Sequence, residues 1–307
     1  MPVSSAIISR HVTCRKNDRL LTMTTIDQFE SVFKAAAKTV YAYEPVHFQS
    51  VLIVSDLEDD YQAKLFGDRV RSFLTVLEET GIEWKTAKAS ESQTVGALLE
   101  LVEQHRPDLI CTYRNLHTGA WRWPFSLGDH LDVLTQVTTT PVLVLPRPEE
   151  LERVERTGED TNAVMAVTGQ LAGDHHLVNY AVKFTRTEGK VLLSHVENQA
   201  VFDRYAEVIS KIPSIGTDQA DEILEQLLKE PRDYFSSVQT ELQEHDVSLQ
   251  VENLVTLGSH VADYKRLLEE HQVDLLVLNT KDDQQMAMHG LAYALAVELR
   301  HIPLLML

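Results

Sequence analysis

The stretch His271–Leu278, which reads His-Gln-Val-Asp-Leu-Leu-Val-Leu, has an earlier counterpart, His-Arg-Pro-Asp-Leu-Ile-Cys-Thr, that begins at His105. Each copy continues through a polar loop, a glycine and a helical stretch to an apolar run led by Pro141 or Pro303. Subtracting residue numbers, the aspartates of the two copies lie 166 positions apart and the prolines 162. Two nearly equal offsets indicate a duplicated unit.

Both copies contain short aliphatic runs in which apolar and polar residues do not alternate. Such runs are typical of strands that are buried on both faces of a parallel sheet. The segments between the runs are long enough to cross over as helices. From Ala163 onward, five such runs alternate with helical patterns, which predicts a parallel, doubly wound α/β domain of five strands. The first half fits the same scheme, with its first strand missing or hidden in residues 3–13.

The predicted chain therefore has four segments. Residues 1–23 are an N-terminal extension, which either supplies an irregular first strand or lies outside the fold. Residues 24–146 form the first domain, and their first helix is expected from Thr25 to Val40. Residues 147–161 are dense in charge and contain a proline and a glycine, which is typical of a linker. Residues 162–307 form the second domain.

Charge and composition exclude several classes of protein. The chain has 28 basic and 46 acidic residues, a net charge of -18, which argues against a nucleic-acid partner. It has no apolar run near the roughly 20 residues that span a bilayer, so we expect no membrane partner and a soluble, cytoplasmic protein. Cys111 lies in an apolar run and is expected in the core. Asp174-His175-His176 is not expected to bind a metal, because adjacent side chains on a helix point in different directions.

The order of elements, the Asp-Leu-Ile/Leu strand, the glycine that opens each last helix (Gly128 and Gly290) and the closing Pro-Val-Leu-Val strand resemble the universal stress protein family in its tandem form. The resemblance implies two Rossmann-like, adenine nucleotide alpha hydrolase-like domains related by a pseudo-twofold axis. It also implies that the edge strands Pro141–Leu145 and Pro303–Leu307 pair antiparallel within the chain. A homodimer and an unidentified protein partner are further expectations.

In its nucleotide-binding branch, the family binds ATP across the carboxyl ends of the strands. Its first strand ends in Asp-Gly-Ser, its second strand contacts the base, and its fourth strand leads into Gly-x2-Gly-x9-Gly-Ser/Thr. Glycines let backbone N–H groups approach the phosphates, and the last Gly-Ser/Thr opens a helix whose positive end faces them.

This chain departs from that pattern at most positions. In the second half the first strand ends in Thr168-Gly169, so only the glycine matches, while Val196 resembles the second-strand ending. Gly290 aligns with the glycine of the last helix but is followed by a leucine. The first-half equivalent, Gly128, is followed by an aspartate. These five residues are the candidate crevice positions.

The substitutions also change the charge of the crevice. Asp129, Asp282 and Asp283 stand where a polyphosphate would be repelled, and Lys281, Arg114 and Arg122 compensate in part. We therefore predict a stress-response binding or signalling module, with no catalytic residues and no cofactor, that does not bind ATP in the family manner. Two alternatives stay open. One is an ATP- or AMP-binding protein with weak ATPase activity. The other is a binder of another small ligand in the strand-end crevice, for which the Trp121–Phe125 loop is a candidate wall.

Overall fold

The computed structural model describes residues 40–119, 126–148, 160–167, 173–211, 219–281 and 290–307. Several sequence predictions fall outside these residues. They are the helix expected from Thr25, the strand expected in residues 3–13 and the Trp121–Phe125 loop.

Strands and helices alternate along both halves of the described chain. The first half contains β1 (Ser50–Ile53), α1 (Asp60–Phe73), β2 (Glu83–Thr86), α2 (Val95–His105), β3 (Leu109–Tyr113), α3 (Asp129–Val137) and β4 (Val142–Leu145). The second half contains β5 (Ala163–Val167), α4 (His175–Phe184), β6 (Lys190–Asn198), α5 (Gln199–Ser210), α6 (Gln219–Glu244), β7 (Gln250–Gly258), α7 (His260–Glu270), β8 (Leu275–Leu278), α8 (Gly290–Glu298) and β9 (Leu304–Met306). Short 3-10 turns follow α1 and β2.

The nine strands of the described residues form one sheet in the order β2-β1-β3-β4-β9-β8-β5-β6-β7. Every neighbouring pair is parallel except β4 and β9, which pair antiparallel. The central strands are buried along their whole length, as expected for aliphatic runs covered by helices on both faces. The α/β fold class predicted from the sequence is confirmed.

The register at the centre of the sheet is self-complementary. Val142 pairs with Met306, Leu143 with Leu305 and Val144 with Leu304. The parallel registers of the two halves also correspond, because Ile110 of β3 pairs with Val142 of β4, and Leu276 of β8 pairs with Leu304 of β9. The start of β4 therefore meets the end of β9, and the start of β9 meets the end of β4. A twofold relation between the halves requires such a register.

The aspartates that lead β3 and β8, Asp108 and Asp274, have the same structural role. The Asp108 carboxylate accepts a hydrogen bond from the backbone N–H of Ser50 at 2.9 Å. The Asp274 carboxylate accepts one from the backbone N–H of Ala163 at 2.8 Å. Each aspartate thus satisfies a donor at the start of its central strand, which fixes that strand beside its neighbour.

The first half differs from the prediction in the strand that it lacks. β1 lies between β2 and β3, the position that β5 takes between β6 and β8, so β1 is the first strand of its half. Among the described residues, the position without a strand is the one beside β2, where the second half places β7. The apolar run that forms β1 was expected to be the second strand, because hydrophobicity identifies a strand but not its place in a sheet.

Two further features concern the helices. α6 continues through Pro231, which is buried. None of the helices among the described residues is both long and apolar enough to cross a membrane.

Candidate functional site

A crevice of about 510 Å³ opens over the carboxyl ends of β1 and β2. Its walls are α1 and the 3-10 turn that follows β2, and the loop after β3 closes one side. In open parallel sheets, the ends of the strands leave such a crevice because the connecting helices diverge to opposite faces. Its polar and charged lining includes Asp56, Glu58, Asp60, Lys64, Arg71, Lys88, Ser90, Gln93 and His117.

Asp56, three residues after β1, lies at the inner end of this crevice and is held by three neighbours. Its carboxylate accepts hydrogen bonds from the Tyr113 hydroxyl and, at 2.8 Å, from the backbone N–H of His117. The Arg147 guanidinium lies 3.3 Å from both carboxylate oxygens. The side chains of Asp56 and Arg147 are only 10% and 7% exposed, so this is a buried ion pair.

Arg147 connects the crevice to the loop after β3. Its Nη1 donates to the backbone carbonyl oxygens of Arg114 at 3.2 Å and Asn115 at 3.1 Å, and its guanidinium lies 4.7 Å from the centre of the Tyr113 ring. The sequence prediction made Arg147 the first residue of the linker. Instead it is buried against the first half, because its guanidinium has a carboxylate, two carbonyls and an aromatic face to pair with.

The protonation of this cluster follows from its contacts. Burial raises the pKa of Asp56, but the Tyr113 hydrogen bond and the Arg147 charge outweigh burial, so the pKa lies below its ordinary value. Burial and the Asp56 hydrogen bond raise the pKa of Tyr113. At neutral pH Asp56 is therefore ionised and Tyr113 protonated. The lone pairs of this carboxylate are already used by protein donors.

His117 and the outer walls give the crevice its remaining polar groups. Burial lowers the pKa of His117, whose Nε2 lies 3.2 Å from the Ser92 Oγ. Arg71 lies over the Trp84 ring at 5.6 Å. Since the lining holds three acidic side chains and the bases Lys64, Arg71 and Lys88, the crevice has mixed charge.

Gly128, one of the predicted crevice positions, lies at the N-terminus of α3 against the loop after β3. Gly128 caps this helix with φ of 90°, and a Cβ added to it would lie 2.7 Å from the Asn115 Cα. The backbone N–H of Asn115 donates to the Leu127 carbonyl at 2.8 Å. The loop after β3 therefore packs directly on the glycine that begins this helix.

The first turn of α3 is also strongly acidic. It contains Asp129 and Asp132. Burial raises the pKa of Asp132, and the charge of Asp129 raises it further. Two acidic side chains therefore lie in the turn whose N–H groups would otherwise attract an anion.

The basic residues expected to compensate for the missing glycines have other partners. Arg114 donates from Nη2 to the Leu299 carbonyl oxygen at 2.6 Å, at the C-terminal end of α8. Lys281 donates from Nζ to the Thr138 carbonyl oxygen at 3.1 Å, at the C-terminal end of α3. Each cation therefore caps the last helix of the opposite half, where cations are favourable.

The predicted crevice positions of the second half do not form a similar site among the described residues. Thr168 and Gly169 lie outside those residues. Val196 is buried, and its backbone N–H donates to the Tyr264 hydroxyl at 3.2 Å. Gly290 begins α8 and is exposed, and a Cβ added to it would meet nothing within 4 Å. The two glycines that open the last helices thus have different environments.

No protein-family model matches the chain, and no curated protein matches it in sequence. Solved structures do match it. A functionally unknown protein from Pseudomonas aeruginosa has 15% identity and a TM-score of 0.45, covering 95% of this chain and 89% of its own. A universal stress protein from Archaeoglobus fulgidus has 11% identity and a TM-score of 0.42, covering 84% of this chain and 85% of its own.

A protein of the universal stress protein family from Burkholderia pseudomallei has 17% identity and a TM-score of 0.33. It covers 48% of this chain and 96% of its own. Universal stress proteins are thus among the solved structures that this chain matches. Identities of this size carry no ligand or activity over to it.

Sequence reasoning missed the cluster of Asp56, Tyr113, His117 and Arg147. One signal was present, since Asp56 follows the apolar run of β1 by three positions. Its pairing with Arg147 spans 91 positions and leaves no mark in residue spacing. Within the described residues, no group of three or more His, Cys, Asp or Glu side chains is arranged to hold a metal ion.

Proposed function

We propose that this chain is a cytoplasmic binding or signalling module of the universal stress protein type, built from a duplicated domain, that does not bind ATP in the manner of that family. The observation that carries the proposal is the filled N-terminus of α3. There, Gly128 packs against Asn115 so closely that an added Cβ would lie 2.7 Å from the Asn115 Cα. Glycine here serves the contact between two protein segments instead of the approach of a phosphate.

Charge supports the same proposal. Asp129 and Asp132 lie in the turn that would face a triphosphate. Arg114 and Lys281, the cations that could offset them, donate to the C-terminal ends of the last helices. A nucleotide at this helix end would therefore have to break these contacts to gain Arg114 or Lys281 as a partner, and breaking a charged hydrogen bond costs about 1.5–3 kcal/mol.

The crevice beside α1 favours a second candidate function, the binding of a small polar ligand other than a nucleotide. Its volume of about 510 Å³ is within the range of small-molecule sites. Its walls combine Lys64, Arg71 and Lys88 with Glu58 and Asp60. Charges of both signs suit a small zwitterion, since such a ligand offers both an anion and a cation to matched partners.

Mass spectrometry of purified, denatured protein tests the leading proposal directly. We expect no stoichiometric adenine nucleotide, and no rise of the unfolding midpoint when ATP and Mg²⁺ are added at millimolar concentration. A bound nucleotide at one hundred times its Kd would stabilise the fold by about 2.7 kcal/mol, which such a measurement detects readily. Stoichiometric ATP or AMP would reject the proposal, and ATP turnover that is lost in a Gly128→Val variant would replace it with an ATPase.

The second candidate is tested by a thermal-shift screen of amino acids and other small zwitterions. We expect a stabilising compound to lose its effect in Lys88→Met, which removes a wall cation, and to keep it in Lys211→Met. Lys211 is exposed on the surface at the end of α5 and serves as the matched control. A compound that stabilises both variants equally binds elsewhere.

A further inference from the structure

The outer edge of β2 has no strand beside it among the described residues, because β2 is the last strand of the sheet on that side. The inner edge is paired, since Glu83 and Ala87 donate from their backbone N–H groups to Gln49 and Ile53 of the β1 side. In a strand these groups alternate, so the N–H groups of Trp84 and Thr86 face outward. Thr86 is exposed and Trp84 half-buried.

The second half shows what fills this position. β6 pairs with β5 in the same register as β2 pairs with β1, because the first residues of the strands are opposite each other in both pairs. Lys190 is opposite Ala163, and Glu83 is opposite Ser50. The outer edge of β6 carries β7 in parallel pairing over nine residues, from Gln250 to Gly258. The same chain therefore contains a complete version of the edge that β2 leaves open.

α1, which contacts β2 through Gly67 and Arg71, also exposes large apolar side chains. On α1, Tyr61 and Leu65 are 70% and 53% exposed and lie one turn apart. In the second half, α6, which precedes β7, contacts the corresponding α4 through Tyr234, whose hydroxyl lies 3.1 Å from the His175 Nδ1. Large apolar side chains left exposed in this way are typical of interaction surfaces.

The side chains along the open edge select the charge of a partner. Trp84 lies under Arg71, and a Cβ on Gly67 would lie 3.5 Å from the Thr86 Oγ1, so both β2 side chains face α1. A strand added beside β2 would point every second side chain to this face, next to Lys64 and Arg71. One acid, Asp68, lies 3.6 Å from Arg71 on the same helix, so the two bases outnumber it. The acids of the crevice, Glu58 and Asp60, stand at the start of α1, beyond the end of β2.

We propose that an extended segment of a partner protein, with acidic residues at alternate positions, pairs in parallel with the outer edge of β2. Its backbone forms hydrogen bonds with the outward backbone groups of Trp84 and Thr86, and it occupies the position beside β2 that β7 occupies beside β6. Its acidic side chains meet Lys64 and Arg71, and its flank covers Tyr61 and Leu65. The inference names a partner class for the proposed binding module, and its geometry does not depend on whether α3 binds nucleotide.

The probe is a fluorescein-labelled heptapeptide, Thr-Glu-Val-Glu-Val-Glu-Val, titrated by fluorescence anisotropy. We expect saturable binding, weakened about tenfold or more for the Thr-Lys-Val-Lys-Val-Lys-Val peptide, because like charges would then face Lys64 and Arg71. In the protein, Arg71→Glu should weaken binding of the acidic peptide, whereas Lys211→Glu, the same charge change at a distant site, should not. Failure of the acidic peptide to bind at millimolar concentration, or equal binding of both peptides, overturns the proposal.

A substitution at Thr86 tests the backbone pairing. Thr86→Pro removes an outward N–H while the inward donors stay, and proline is tolerated at sheet edges. We expect about tenfold or greater loss of binding in Thr86→Pro and little change in Thr86→Val, which keeps the N–H. Circular dichroism and the unfolding midpoint verify that both variants fold.

N-methylated peptides test the same pairing without changing the protein. In parallel pairing at the β7 position, the valine N–H groups of the peptide face β2 and the glutamate N–H groups face away. N-methyl valine should therefore abolish binding, and N-methyl glutamate should preserve it; equal effects overturn the proposal. Self-association of the chain that Thr86→Pro abolishes, seen by sedimentation, would instead assign the edge to a second copy. The nucleotide assay reports on α3, so either inference can fail alone.

Discussion

Asp56 and Arg147 form a buried ion pair whose two members depend on each other. The pair is compensated on all sides, by the Tyr113 hydroxyl, the His117 N–H and two backbone carbonyls. Such a pair adds little over an apolar substitute, but removing one member leaves the other charged and buried. The cluster therefore fixes the shape of the crevice floor and is a poor source of ligand contacts.

We predict that Asp56→Asn destabilises the fold by about 3–5 kcal/mol in urea unfolding at pH 7, because Arg147 then lacks its counter-charge.

The dependence of the unfolding free energy on pH should also change at acidic pH. The pKa of Asp56 is depressed in the folded state, so its contribution is complete above the unfolded pKa and is lost as the pH falls through the folded value. The wild-type profile should therefore fall more steeply below about pH 4 than that of Asp56→Asn. Parallel acid profiles would contradict this assignment.

At the residue scale, the sequence predicted core positions better than polar partners. Cys111 is fully buried, as its apolar run indicated. Arg147 and Asp56 were not recognised, because a charge cluster near a proline looks like a solvated linker until the fold brings a carboxylate to it. Hydrophobic periodicity reports on burial, whereas an ion pair between distant segments depends on tertiary structure.

At the scale of secondary-structure elements, sequence patterns identify strands but not their positions in the sheet. Aliphatic runs located β1, β3, β4, β5, β8 and β9. The offsets of 166 and 162 positions relate Ile110 to Leu276 and Val142 to Leu304, which have equivalent partners in the sheet. The position of β1 within the sheet was mistaken, because strand order depends on crossovers and not on composition. The two glycines that open the last helices looked equivalent in sequence, but a Cβ on Gly128 would approach the Asn115 backbone, whereas one on Gly290 would meet nothing within 4 Å.

We predict opposite effects of the same substitution at these two glycines. Gly128→Ala should destabilise the fold by about 1–3 kcal/mol, because φ is 90° and the new Cβ would approach the Asn115 backbone at 2.7 Å. Gly290→Ala, the matched control at the start of α8, meets nothing within 4 Å and should be neutral or stabilising by up to about 1 kcal/mol. Chemical unfolding of both variants measures the difference. Equal destabilisation would show that the α3 end is not filled as described.

At the scale of the whole molecule, several kinds of contact join the halves. They include the antiparallel pairing of β4 and β9 and the exchange of cationic caps through Arg114 and Lys281. Residues 41–48 of the first half also pack on α4 and α6 of the second. We predict that Arg114→Met, which removes a buried charged donor from the Leu299 carbonyl, costs about 2–3 kcal/mol. Lys281→Met, at a half-buried cap, should cost about 1 kcal/mol. Lys211→Met, as the surface control, should stay within about 0.5 kcal/mol. If both cap variants match that control in urea unfolding, the caps do not hold the halves together.

The continuous sheet also predicts how the described halves unfold. Leu143 and Leu305 are opposite each other and fully buried. Separating β4 from β9 would therefore expose apolar surface and unpaired backbone groups. The strands of both halves should therefore unfold in one cooperative transition, with equal calorimetric and van't Hoff enthalpies.

Leu305→Ala should lower the free energy of unfolding by about 2–5 kcal/mol and keep a single transition, because the cavity it creates lies in the part of the core that both halves share. Ile223→Ala, at an exposed position of α6, should change it by less than about 0.5 kcal/mol. Two separate transitions in the wild type, of which Leu305→Ala moves only one, would show that the halves fold independently and that β4–β9 pairing contributes little to either.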